Sequence, residues 1–455
     1  MICINPATNK KFYEIRELTG EELAERLEEA RVSFSKYRLS TFEERAEKLN
    51  NMADLMETSK DRLASEITEQ MGKPIRHALA EVAKSIRAVR HYATYGAGYL
   101  QAEEANPAPA DIVRAYKSYQ PLGPILAVMP WNFPIWQVIR FAAPALMAGN
   151  VCLLKHAENV WKTALSLEEL FLAAGFEKGC FQTLNVEVSA VEQIIQSDVI
   201  AGVTLTGSTR AGRAIAANAA KRLLPVVLEL GGSDPFIVLE DGDLEKASTY
   251  GVMSRFANSG QSCIAAKRFI LHQDIKDDFL RLFLDKISNL SCGDPLLPAT
   301  DLGPVVNEQA LENLEKLIKD ALEKGANLLC GGSRVKDEGF FLEPTVLEKI
   351  DESMDIYHQE VFGPVALVFT AADESEAILR ANDTKYGLGA SIWTNDIEKA
   401  LYLQESLECG MVAVNKEVAS YPELPFGGIK SSGYGRELAA EGIRSFCNCK
   451  TVVVG

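Results

Sequence analysis

Residues 258–268 read NSGQSCIAAKR and place Cys263 directly after a Gly-Gln-Ser turn. A cysteine in this setting can be a buried hydrophobe, a metal ligand, a disulfide partner or a nucleophile. The nine cysteines form no Cys-x-x-Cys pair and lack zinc-ligand spacing, which is typical of free thiols in a reducing compartment. The five histidines form no His-x-x-x-His pair. We therefore predict no metal site and keep packing and nucleophilic roles as alternatives for Cys263.

Two other residues could complete a covalent mechanism around this cysteine. Glu229 lies inside the apolar run VVLELGG of residues 226–232, where burial should raise its carboxyl pKa toward the range of a general base. Asn132 lies between the prolines of MPWNFP, residues 129–134, where its amide could donate a hydrogen bond to an oxyanion. The alternatives are a carboxylate with a structural partner and an asparagine that only closes a turn. Nucleophile, base and oxyanion donor are the usual constituents of covalent acyl chemistry.

Two further segments follow predicted strands and could bind a ligand. In LLKHAEN, Lys155 and Glu158 could both hydrogen-bond ribose hydroxyls, and a solvated loop face is the alternative. In VTLTGSTRAG, a strand leads through Gly207 and Ser208 into a helix whose first amides could bind phosphate. An ordinary helix N-cap explains the same residues. The Gly-x-x-x-x-Gly spacing that ends at Gly212 matches neither the dinucleotide fingerprint nor a Walker A motif.

An α/β framework is predicted to position these residues. The first hundred residues favour helices, with capping boxes at Thr19–Glu22 and Thr41–Glu44. Short apolar runs then alternate with helical segments, which predicts buried parallel strands joined by βαβ crossovers. Ligands bind at the carboxyl ends of such strands, where the segments above lie. The predicted strands are Ile125–Met129, Val151–Leu154, Val203–Leu205, Val226–Leu230 and Phe236–Leu239.

A second α/β lobe is predicted after Cys263. It contains a long charged helix around residues 307–324 and apolar runs near residues 365–369 and 411–414. The stretch from Gln101 to Asp111 is rich in Ala, Pro and Glu and is expected to be a surface excursion.

The composition excludes several classes of partner. The chain has 455 residues, 63 acidic against 47 basic ones, and a net charge of −16, which would repel nucleic acid and anionic membranes. An anionic substrate would therefore need a local cation. We expect no signal peptide and no membrane span, because the longest apolar stretch, residues 138–154, is broken by Arg140, Pro144 and Asn150. These observations predict a cytoplasmic protein.

Six short motifs together resemble those of the aldehyde dehydrogenase superfamily. They occur in the order and spacing of that family and extend over nearly the whole chain. No single motif would carry the resemblance. The motifs are PWNFP at 130–134, LTGS at 205–208, LELGG at 228–232, GQSC at 260–263, EVFGP at 360–364 and PFGG at 425–428.

The resemblance implies an α/β fold with a Rossmann-like cofactor domain, an α/β catalytic domain and a small β oligomerisation element. The implied cofactor domain covers residues 1–100 and 122–232, and the catalytic domain covers residues 233–430. Residues 101–121 and 431–455 would form the oligomerisation element. Because the apolar tail of residues 451–454 could add a strand to a partner's sheet, we expect a homodimer or a homotetramer.

The resemblance also implies roles for the candidate residues. Cys263 would attack an aldehyde carbonyl, and Asn132 with the Cys263 amide would stabilise the oxyanion before hydride passes to nicotinamide. Glu229 would activate the water that hydrolyses the thioester. The implied cofactor contacts are Lys155 and Glu158 at the adenosine ribose, Gly207 and Ser208 at the pyrophosphate, Glu360 with Phe362 at the nicotinamide ribose, and Trp131 and the backbone of Leu230.

The implied cofactor is NAD(P). The carboxylate of Glu158 would bond the 2′-hydroxyl of NAD and repel the 2′-phosphate of NADP. We therefore expect NAD to be preferred, with NADP as a possible cofactor. His156 stands where a proline is common in the family, which could reposition this loop.

Within the family, the chain is most similar to the short bacterial and cyanobacterial succinate semialdehyde dehydrogenases. The likeness implies an aldehyde with a distal carboxylate, bound by Arg140 with help from Ser420. An interdomain salt bridge is the alternative role of Arg140. The larger branch has an arginine at the position of Ala257 and often a second cysteine at that of Ala265, so we expect no disulfide switch here. The likeness rests on WQVIR at 136–140, LKHA at 154–157, LELGGSDPFIVL at 228–239, AAKRFI at 265–270 and FCN at 446–448.

Other functions are kept as alternatives. The substrate could be glutarate semialdehyde or a neutral aliphatic aldehyde. A thiol hydrolase or esterase would use Cys263 without a cofactor. A non-catalytic binding or structural role is disfavoured by the combination of Cys263, Glu229 and Asn132.

Overall fold

The computed structural model describes residues 2–107, 111–335 and 338–455. The chain begins with an antiparallel hairpin of strands β1 (Ile2–Asn5) and β2 (Lys10–Glu14). The predicted helical region follows. Its helices are α1 (Gly20–Tyr37), α2 (Phe42–Thr58), α3 (Lys60–Met71) and α4 (Ile75–Tyr99).

Both predicted capping boxes are present at the starts of α1 and α2. The Thr19 hydroxyl accepts from the Glu22 N–H, and the Glu22 carboxylate accepts from the Thr19 N–H. Thr41 and Glu44 make the same reciprocal pair. Each pair satisfies two backbone donors that a helix N-terminus leaves open, which explains why the helices begin at these positions.

The segment after α4 alternates strands and helices, as the apolar runs predict. It contributes most of one sheet and carries several of the candidate residues at its strand ends. Its elements are β3 (Glu103–Glu104), β4 (Arg114–Pro121), β5 (Pro124–Met129), α5 (Trp136–Ala148), β6 (Val151–His156), α6 (Trp161–Ala173), β7 (Phe181–Thr183), α7 (Val191–Gln196), β8 (Gly202–Thr206), α8 (Thr209–Ala220) and β9 (Val226–Glu229).

The remainder of the chain forms the second α/β region and the tail. The predicted long helix is α11, which Asn307 caps. The elements are β10 (Asp234–Val238), α9 (Leu244–Phe256), β11 (Ala266–His272), α10 (Lys276–Ser288), α11 (Glu308–Glu323), β12 (Asn327–Cys330), β13 (Thr345–Glu348), α12 (Asp355–His358), β14 (Val365–Ala371), α13 (Glu374–Asn382), β15 (Gly389–Trp393), α14 (Ile397–Leu403), β16 (Met411–Val414), β17 (Gly433–Tyr434), α15 (Ala439–Arg444) and β18 (Cys447–Val454).

A six-stranded sheet holds the first set of candidate residues, in the order β17-β9-β8-β5-β6-β7. All its strands are parallel except β17, which pairs antiparallel with β9. Lys155 lies beside Val128, and Glu229 lies beside Thr206. The carboxyl ends of β5, β6, β8 and β9 therefore meet at one edge, as expected for a ligand-binding α/β sheet.

A seven-stranded sheet forms the second region, in the order β12-β13-β14-β11-β10-β15-β16. Only β12 runs antiparallel to its neighbour. Along β10, Phe236 and Val238 pack into one apolar cluster, whereas Ile237 packs into another. Both faces of this sheet are therefore buried, which explains why its strands are continuous apolar runs. The predicted α/β fold class is confirmed.

The third sheet has three strands in the order β18-β4-β3. The tail strand β18 pairs antiparallel with β4 along its whole length, from Cys447–Pro121 to Val454–Arg114. The three-stranded sheet therefore combines the predicted excursion with the C-terminal tail. Residues 108–110 of the excursion lie outside the described residues. The predicted domain boundaries stay a prediction. Strand β17, from the same C-terminal segment, joins the six-stranded sheet.

No helix within the described ranges is long and apolar enough to cross a membrane. The apolar stretch of residues 138–154 is divided at Gly149 between α5 and β6. It is buried against the rest of the molecule.

Candidate active site

The nucleophile candidate lies in a loop with unusual backbone angles, between α9 and β11. Asn258, Ser259 and Gly260 have φ values of 54°, 53° and 72°, in the left-handed region. Gly260 faces the backbone of Gly363, and a Cβ on Gly260 would lie 2.2 Å from the Gly363 carbonyl oxygen. Glycine is therefore required here for both conformation and space. The loop brings the GQSC and EVFGP motifs into direct contact.

The buried side chain of Lys267 holds the Ser262–Cys263 part of this loop in place. Its buried ammonium donates to the carbonyl oxygens of Ser262 at 2.9 Å and Cys263 at 2.7 Å. The same Nζ lies 3.6 Å from the Glu360 carboxylate, which also accepts from the Gly232 N–H at 3.1 Å. A single buried cation thus connects the GQSC loop to the EVFGP motif.

Cys263 is a partly exposed free thiol at the end of the loop. Burial of the sulfur raises the pKa of this thiol to about 12, although Arg140 and Lys267 oppose the shift. The thiol is therefore protonated in the resting structure. Attack on a carbonyl requires a group that accepts its proton.

Asn132 lies against the same loop, after β5. Its side-chain N–H donates to the Gln261 carbonyl at 3.1 Å, and its amide oxygen accepts from Gln137 at 3.1 Å. Asn258 in turn donates to the Asn132 carbonyl at 2.9 Å. The structure brings Asn132 and the Cys263 loop together, with the amide fixed so that its nitrogen faces the loop. This placement suits a donor to an oxyanion at the cysteine.

Glu229 ends β9 in a buried position. Neither of its carboxylate oxygens has a hydrogen-bond partner among the described residues. Burial, together with the nearby Glu437, raises its carboxyl pKa well above the ordinary range, and Arg140 opposes the shift. A Cβ on Gly427 would lie 2.6 Å from Glu229 Oε1, so the PFGG motif packs directly on this carboxyl. The surroundings therefore favour the neutral form of this group more than water would, and no hydrogen bond from the described residues engages it.

Arg140 lies in α5 and is almost completely buried. Its guanidinium forms an ion pair with Glu437 and donates to the Thr206 hydroxyl at 3.1 Å. It also lies 4.5 Å from the centre of the Phe426 ring. The predicted substrate cation is therefore already neutralised by a carboxylate, and its role in binding substrate stays a prediction. Glu437 carries no signal in the sequence, because its neighbours match none of the six family motifs.

Ser420 is buried in the loop between β16 and β17. Its hydroxyl accepts a hydrogen bond from the ammonium of Lys84 at 2.6 Å. Lys84 lies on α4, far away in the chain, and the sequence analysis did not single it out. A lysine within a predicted amphipathic helix carries no local signal that separates it from a solvated face.

The adenosine-ribose candidates differ in exposure. Lys155, in β6, is buried, and burial lowers its ammonium pKa whereas Glu158 opposes the shift. Lys155 Nζ lies 5.9 Å from the centre of the Trp161 ring, and no carboxylate of the described chain pairs with it. Glu158 begins a 3₁₀ turn, and its side chain is exposed. The cation is thus held by the fold, whereas the carboxylate is free to turn into solvent.

The pyrophosphate candidates lie at the start of α8. The Ser208 hydroxyl caps this helix and accepts from the Ala211 N–H at 3.3 Å, so the N-cap alternative is present in the structure. The Gly207 N–H donates to the Glu229 carbonyl at 2.9 Å. Gly212 packs against Leu230, because a Cβ there would lie 2.6 Å from a Leu230 methyl carbon. The TGS turn and LELGG are therefore packed together beside the helix N-terminus.

The nicotinamide candidates Trp131, Phe362 and Glu360 form a second group. Trp131 and Phe362 pack edge to face, with ring centres 5.8 Å apart. A Cβ on Gly231 would lie 2.2 Å from Glu360 Oε2, so the LELGG backbone closely approaches this carboxylate. Burial raises the Glu360 pKa, and Lys267 opposes the shift. The aromatic pair, the carboxylate and the helix N-terminus suit the apolar ring, ribose and phosphates of a dinucleotide.

The fold and site together define a class of protein. The sequence profile of the aldehyde dehydrogenase family matches residues 1–452, and the chain belongs to this family. The resemblance drawn from the six motifs is confirmed.

Individual relatives within this family are similar to the chain over nearly their whole length. A Mycobacterium avium (strain 104) protein named succinate-semialdehyde dehydrogenase [NADP(+)] is 48% identical over 453 residues, 99% of this chain and 96% of the relative. A Mycobacterium ulcerans (strain Agy99) protein, named succinate-semialdehyde dehydrogenase [NADP(+)] 1, is 49% identical over 452 residues and 99% of both chains. The crystal structure of succinic semialdehyde dehydrogenase from Streptococcus pyogenes in complex with NADP+ matches with a TM-score of 0.96, 38% identity and 99% coverage of both chains.

The predicted preference for NAD is wrong. The relatives are named for NADP(+), and the S. pyogenes structure holds NADP+. The prediction assumed that Glu158 faces the ribose with a fixed charge, but its side chain is exposed and screened by water. Lys155 is instead the buried charge at this strand end, and a cation favours a 2′-phosphate.

Proposed function

We propose that this protein oxidises succinate semialdehyde to succinate with NADP+ as the hydride acceptor. The observation that carries the proposal is full-length identity of 48–49% to proteins named for this reaction. The contact between Asn132 and the Cys263 loop supports the same chemistry, because it combines an oxyanion donor with a thiol.

Cys263 is the nucleophile in this proposal. The partly exposed thiol gives its proton to solvent water, and the thiolate forms a C–S bond to the aldehyde carbon while the carbonyl π electrons move to oxygen. The side-chain N–H of Asn132 and the backbone N–H of Cys263 stabilise this oxyanion in the thiohemiacetal. The nicotinamide cofactor, when bound, supplies a hydride acceptor for the oxidation of that adduct to a thioester.

Glu229 acts in the second half of the reaction. In its ionised form the carboxylate takes a proton from water, whose oxygen attacks the thioester carbon and releases the Cys263 thiolate and a carboxylic acid. Its buried, unpartnered oxygens support this role, because no structural hydrogen bond must be broken before it accepts a proton. Burial and Glu437 raise its pKa, which makes the ionised carboxylate a stronger base than a carboxylate in water.

The proposed cofactor contacts come from two groups of residues, one beside Lys155 and the start of α8 and one around Glu360. Lys155 would bind the 2′-phosphate, and the N-terminus of α8 at Gly207 and Ser208 would bind the pyrophosphate. Glu360 would accept hydrogen bonds from the nicotinamide ribose, with Phe362 and Trp131 beside the ring. The backbone of Leu230 completes this set. Glu158 would remain at the adenosine ribose without excluding NADP+.

The proposal extends to the assembly and location of the protein. Strand β18 is an edge strand of the three-stranded sheet, and Val453 and Val454 on it are 55% and 44% exposed. An apolar edge of this kind suits pairing with a second copy, which supports the expected homodimer or homotetramer. The cytoplasmic location stays a prediction, supported by the free cysteines.

Steady-state kinetics with a panel of aldehydes tests the proposed function. NADPH formation is measured with succinate semialdehyde, glutarate semialdehyde and butanal, which has the same chain length as the first but no carboxylate. We expect succinate semialdehyde to give the highest kcat/KM. Equal or higher kcat/KM with butanal would contradict the proposed substrate while leaving the family assignment intact.

A further inference from the structure

The two donors proposed for the oxyanion differ in how they are oriented. The side-chain amide of Asn132 is oriented by Gln137. The backbone N–H of Cys263 has no torsion of its own, because the planar peptide unit fixes it opposite the carbonyl group of Ser262. A group that holds the Ser262 carbonyl therefore also sets the direction of this N–H. The ammonium of Lys267 is such a group.

Lys267 lies at the start of β11 and is completely buried. Its Nζ donates to the carbonyl oxygens of Ser262 at 2.9 Å and Cys263 at 2.7 Å. The first oxygen belongs to the peptide unit before Cys263, and the second belongs to the unit after it. Among the described residues, the only other donor to either oxygen is the Ala265 N–H, 3.3 Å from the Ser262 oxygen. One cation thus engages both peptide units of the candidate nucleophile.

These bonds leave the Cys263 N–H available to a ligand. The Ser262–Cys263 peptide bond is trans, so its N–H points away from the oxygen that Lys267 holds. This N–H donates to no acceptor within the part of the chain that the structure describes. A fixed donor without a structural acceptor is what an oxyanion requires.

Two nearby carboxylates favour the charged form of Lys267. Its Nζ lies 3.6 Å from Glu360. Asp234 approaches the same loop, since a Cβ on Gly232 would lie 2.9 Å from Asp234 Oδ1 and 2.6 Å from the Cys263 carbonyl oxygen. Burial lowers the pKa of the Lys267 ammonium, and Glu360 and Asp234 oppose this shift. A cation at a carbonyl oxygen polarises the peptide unit, which makes its N–H a stronger donor.

We propose that Lys267 is a positioning residue for the oxyanion, because it orients and polarises the Cys263 N–H. The inference rests on the proposed covalent mechanism at Cys263, but not on which aldehyde reacts. As the sulfur bonds to the carbonyl carbon, the carbonyl π electrons move to oxygen, and this oxygen accepts the Cys263 N–H. Lys267 keeps its proton throughout. The same N–H serves the oxyanion that forms when water attacks the thioester.

This role predicts which kinetic constants depend on Lys267. The N–H meets a full negative charge only as the oxyanion forms, so removal of Lys267 should lower kcat and leave the KM for the aldehyde nearly constant. Succinate semialdehyde and butanal should lose the same factor, since they share the reacting carbonyl group. Alkylation of Cys263 by iodoacetamide displaces iodide and forms no oxyanion, so its rate reports the thiolate alone.

The experiment compares wild-type protein with Lys267→Met at saturating NADP+, because Lys267 also lies beside Glu360. Alkylation of Cys263 is followed by mass spectrometry at the same pH. Alkylation should slow, since the charge of Lys267 favours the thiolate. Deletion of an oxyanion donor lowers kcat by roughly 10²- to 10³-fold, so the loss in kcat should exceed the loss in alkylation by at least about tenfold. Equal losses in the two rates would overturn the inference.

Arg268→Met is the matched control. Arg268 is the next residue of β11 and is also buried. Its guanidinium donates to the carbonyl oxygens of Ser233, Arg380 and Ala381, none of which lies in the Cys263 loop. Its removal deletes a buried cation from backbone carbonyls, as Lys267→Met does, and should lower Tm. The ratio of kcat to alkylation rate should stay at the wild-type value.

Two further variants separate the charge of Lys267 from its packing. Lys267→Arg keeps a cation with N–H donors and should restore most of the ratio of kcat to alkylation rate. Lys267→Gln keeps a donor without the charge and should give a lower ratio than Lys267→Arg. Thermal stabilisation by NADP+ shows whether each variant is folded, and Lys267→Gln replaces Lys267→Met if the latter is not. A wild-type ratio in Lys267→Gln would contradict the role of the charge.

The choice of aldehydes separates failure of the inference from failure of the proposed function. A wild-type protein that prefers butanal refutes the proposed substrate, and the effect of Lys267→Met is then read with butanal. A wild-type protein that prefers succinate semialdehyde, combined with equal losses of kcat and alkylation in Lys267→Met, refutes the inference alone. Unequal losses with the two aldehydes would also refute it, because they would place Lys267 at the substrate's distal end.

Discussion

At the scale of single residues, the two groups that are proposed to react, the Cys263 thiol and the Glu229 carboxyl, both have raised pKa values. Burial raises the pKa of the Cys263 thiol to about 12, and it raises the Glu229 pKa well above its ordinary range. Both shifts disfavour the charged forms that the proposed reaction uses, a thiolate and a carboxylate. Asn132 needs no charged form, and its amide is already oriented by Gln137.

The first prediction concerns Cys263 itself. Cys263→Ala should abolish NADPH formation, because no other nucleophile replaces the sulfur, while the protein still binds NADP+. Cofactor binding is measured by thermal stabilisation and turnover by absorbance. Cys330→Ala is the control, because Cys330 lies in β12 and should leave both unchanged. Dehydrogenase activity retained in Cys263→Ala would refute the nucleophile assignment.

The second prediction concerns the pH dependence that Glu229 causes. Its raised pKa means that the base form appears only as pH rises, so kcat should increase with pH beyond the usual carboxylate range. Glu229→Gln should lower kcat by roughly 10²- to 10⁴-fold and remove this limb. It should still release about one NADPH per active site in a rapid burst, because thioester formation precedes hydrolysis. If Glu229→Gln loses the NADPH burst as well as kcat, Glu229 acts before or during hydride transfer, which would contradict its proposed role in hydrolysis.

The third prediction concerns cofactor choice at Lys155. Lys155→Met should lower kcat/KM for NADP+ by roughly 10- to 150-fold and that for NAD+ only slightly, because the ammonium meets the 2′-phosphate. Lys162→Met is the control, since Lys162 lies near the same strand end but pairs with Glu69 at 3.6 Å. Equal losses with both cofactors would show that Lys155 supports the loop and does not select the phosphate.

At the scale of elements, glycines let the motifs pack against one another. Gly260 meets Gly363, Gly231 meets Glu360, and Gly427 meets Glu229. Each contact joins two motifs that are distant in the chain. The motifs are therefore parts of one packed unit around the loop of Cys263. The Lys267 ammonium stabilises this loop through hydrogen bonds to its carbonyl oxygens.

The fourth prediction concerns this packing. Gly260→Ala should lower both Tm and kcat, because the new Cβ would meet a backbone oxygen at 2.2 Å and shift the Cys263 loop. Gly325→Ala is a matched control, since its φ is also positive, 104°, but open space surrounds it. The control carries only the backbone strain, roughly 1–2 kcal/mol, and should keep kcat. Normal kcat in Gly260→Ala would show that the loop tolerates the displacement.

Much of the framework could be predicted from the sequence, because apolar runs and turn residues act locally. The strands that carry Lys155 and Glu229, and the strand that leads to Ser208, form where the apolar runs predict them. Strand β11 was not predicted, because Lys267 and Arg268 interrupt its apolar pattern. The structure buries both cations against backbone carbonyl oxygens, that of nearby Cys263 for Lys267 and that of distant Ser233 for Arg268.

The charge pairing of the site could not be predicted in the same way. Lys84 and Ser420 are 336 positions apart, and the ion pair of Arg140 with Glu437 also joins distant segments. Neither pairing leaves a pattern in the local sequence. The choice of Arg140 as substrate cation rested on resemblance, and only the fold reveals that its guanidinium pairs with Glu437.

At the scale of the whole molecule, one C-terminal segment contributes both to the candidate site and to the edge strand that is proposed to pair with a second copy. Segment 431–455 supplies β17 to the six-stranded sheet, Glu437 to Arg140, and β18 to the three-stranded sheet. Residues that position the site and residues that offer an exposed edge thus lie within one short segment. Self-association and the geometry near Arg140 are therefore expected to depend on the same part of the chain.

The fifth prediction concerns this edge. Val453→Lys should shift the protein toward monomers in size-exclusion chromatography with light scattering, because a charge on an apolar edge strand opposes pairing. Val188→Lys is the control, since Val188 is a similarly exposed valine, 68% accessible, outside the three sheets. An unchanged oligomer in Val453→Lys, or a monomeric wild-type protein, would contradict the proposed edge.

The central claim is tested most directly by one comparison of wild-type kinetics. NADPH formation is measured with NADP+ and either succinate semialdehyde or butanal over a range of concentrations near neutral pH. The account predicts that kcat/KM is at least about tenfold higher for succinate semialdehyde, the gain expected from one charge-assisted bond to the distal carboxylate. An equal or higher kcat/KM for butanal would contradict it.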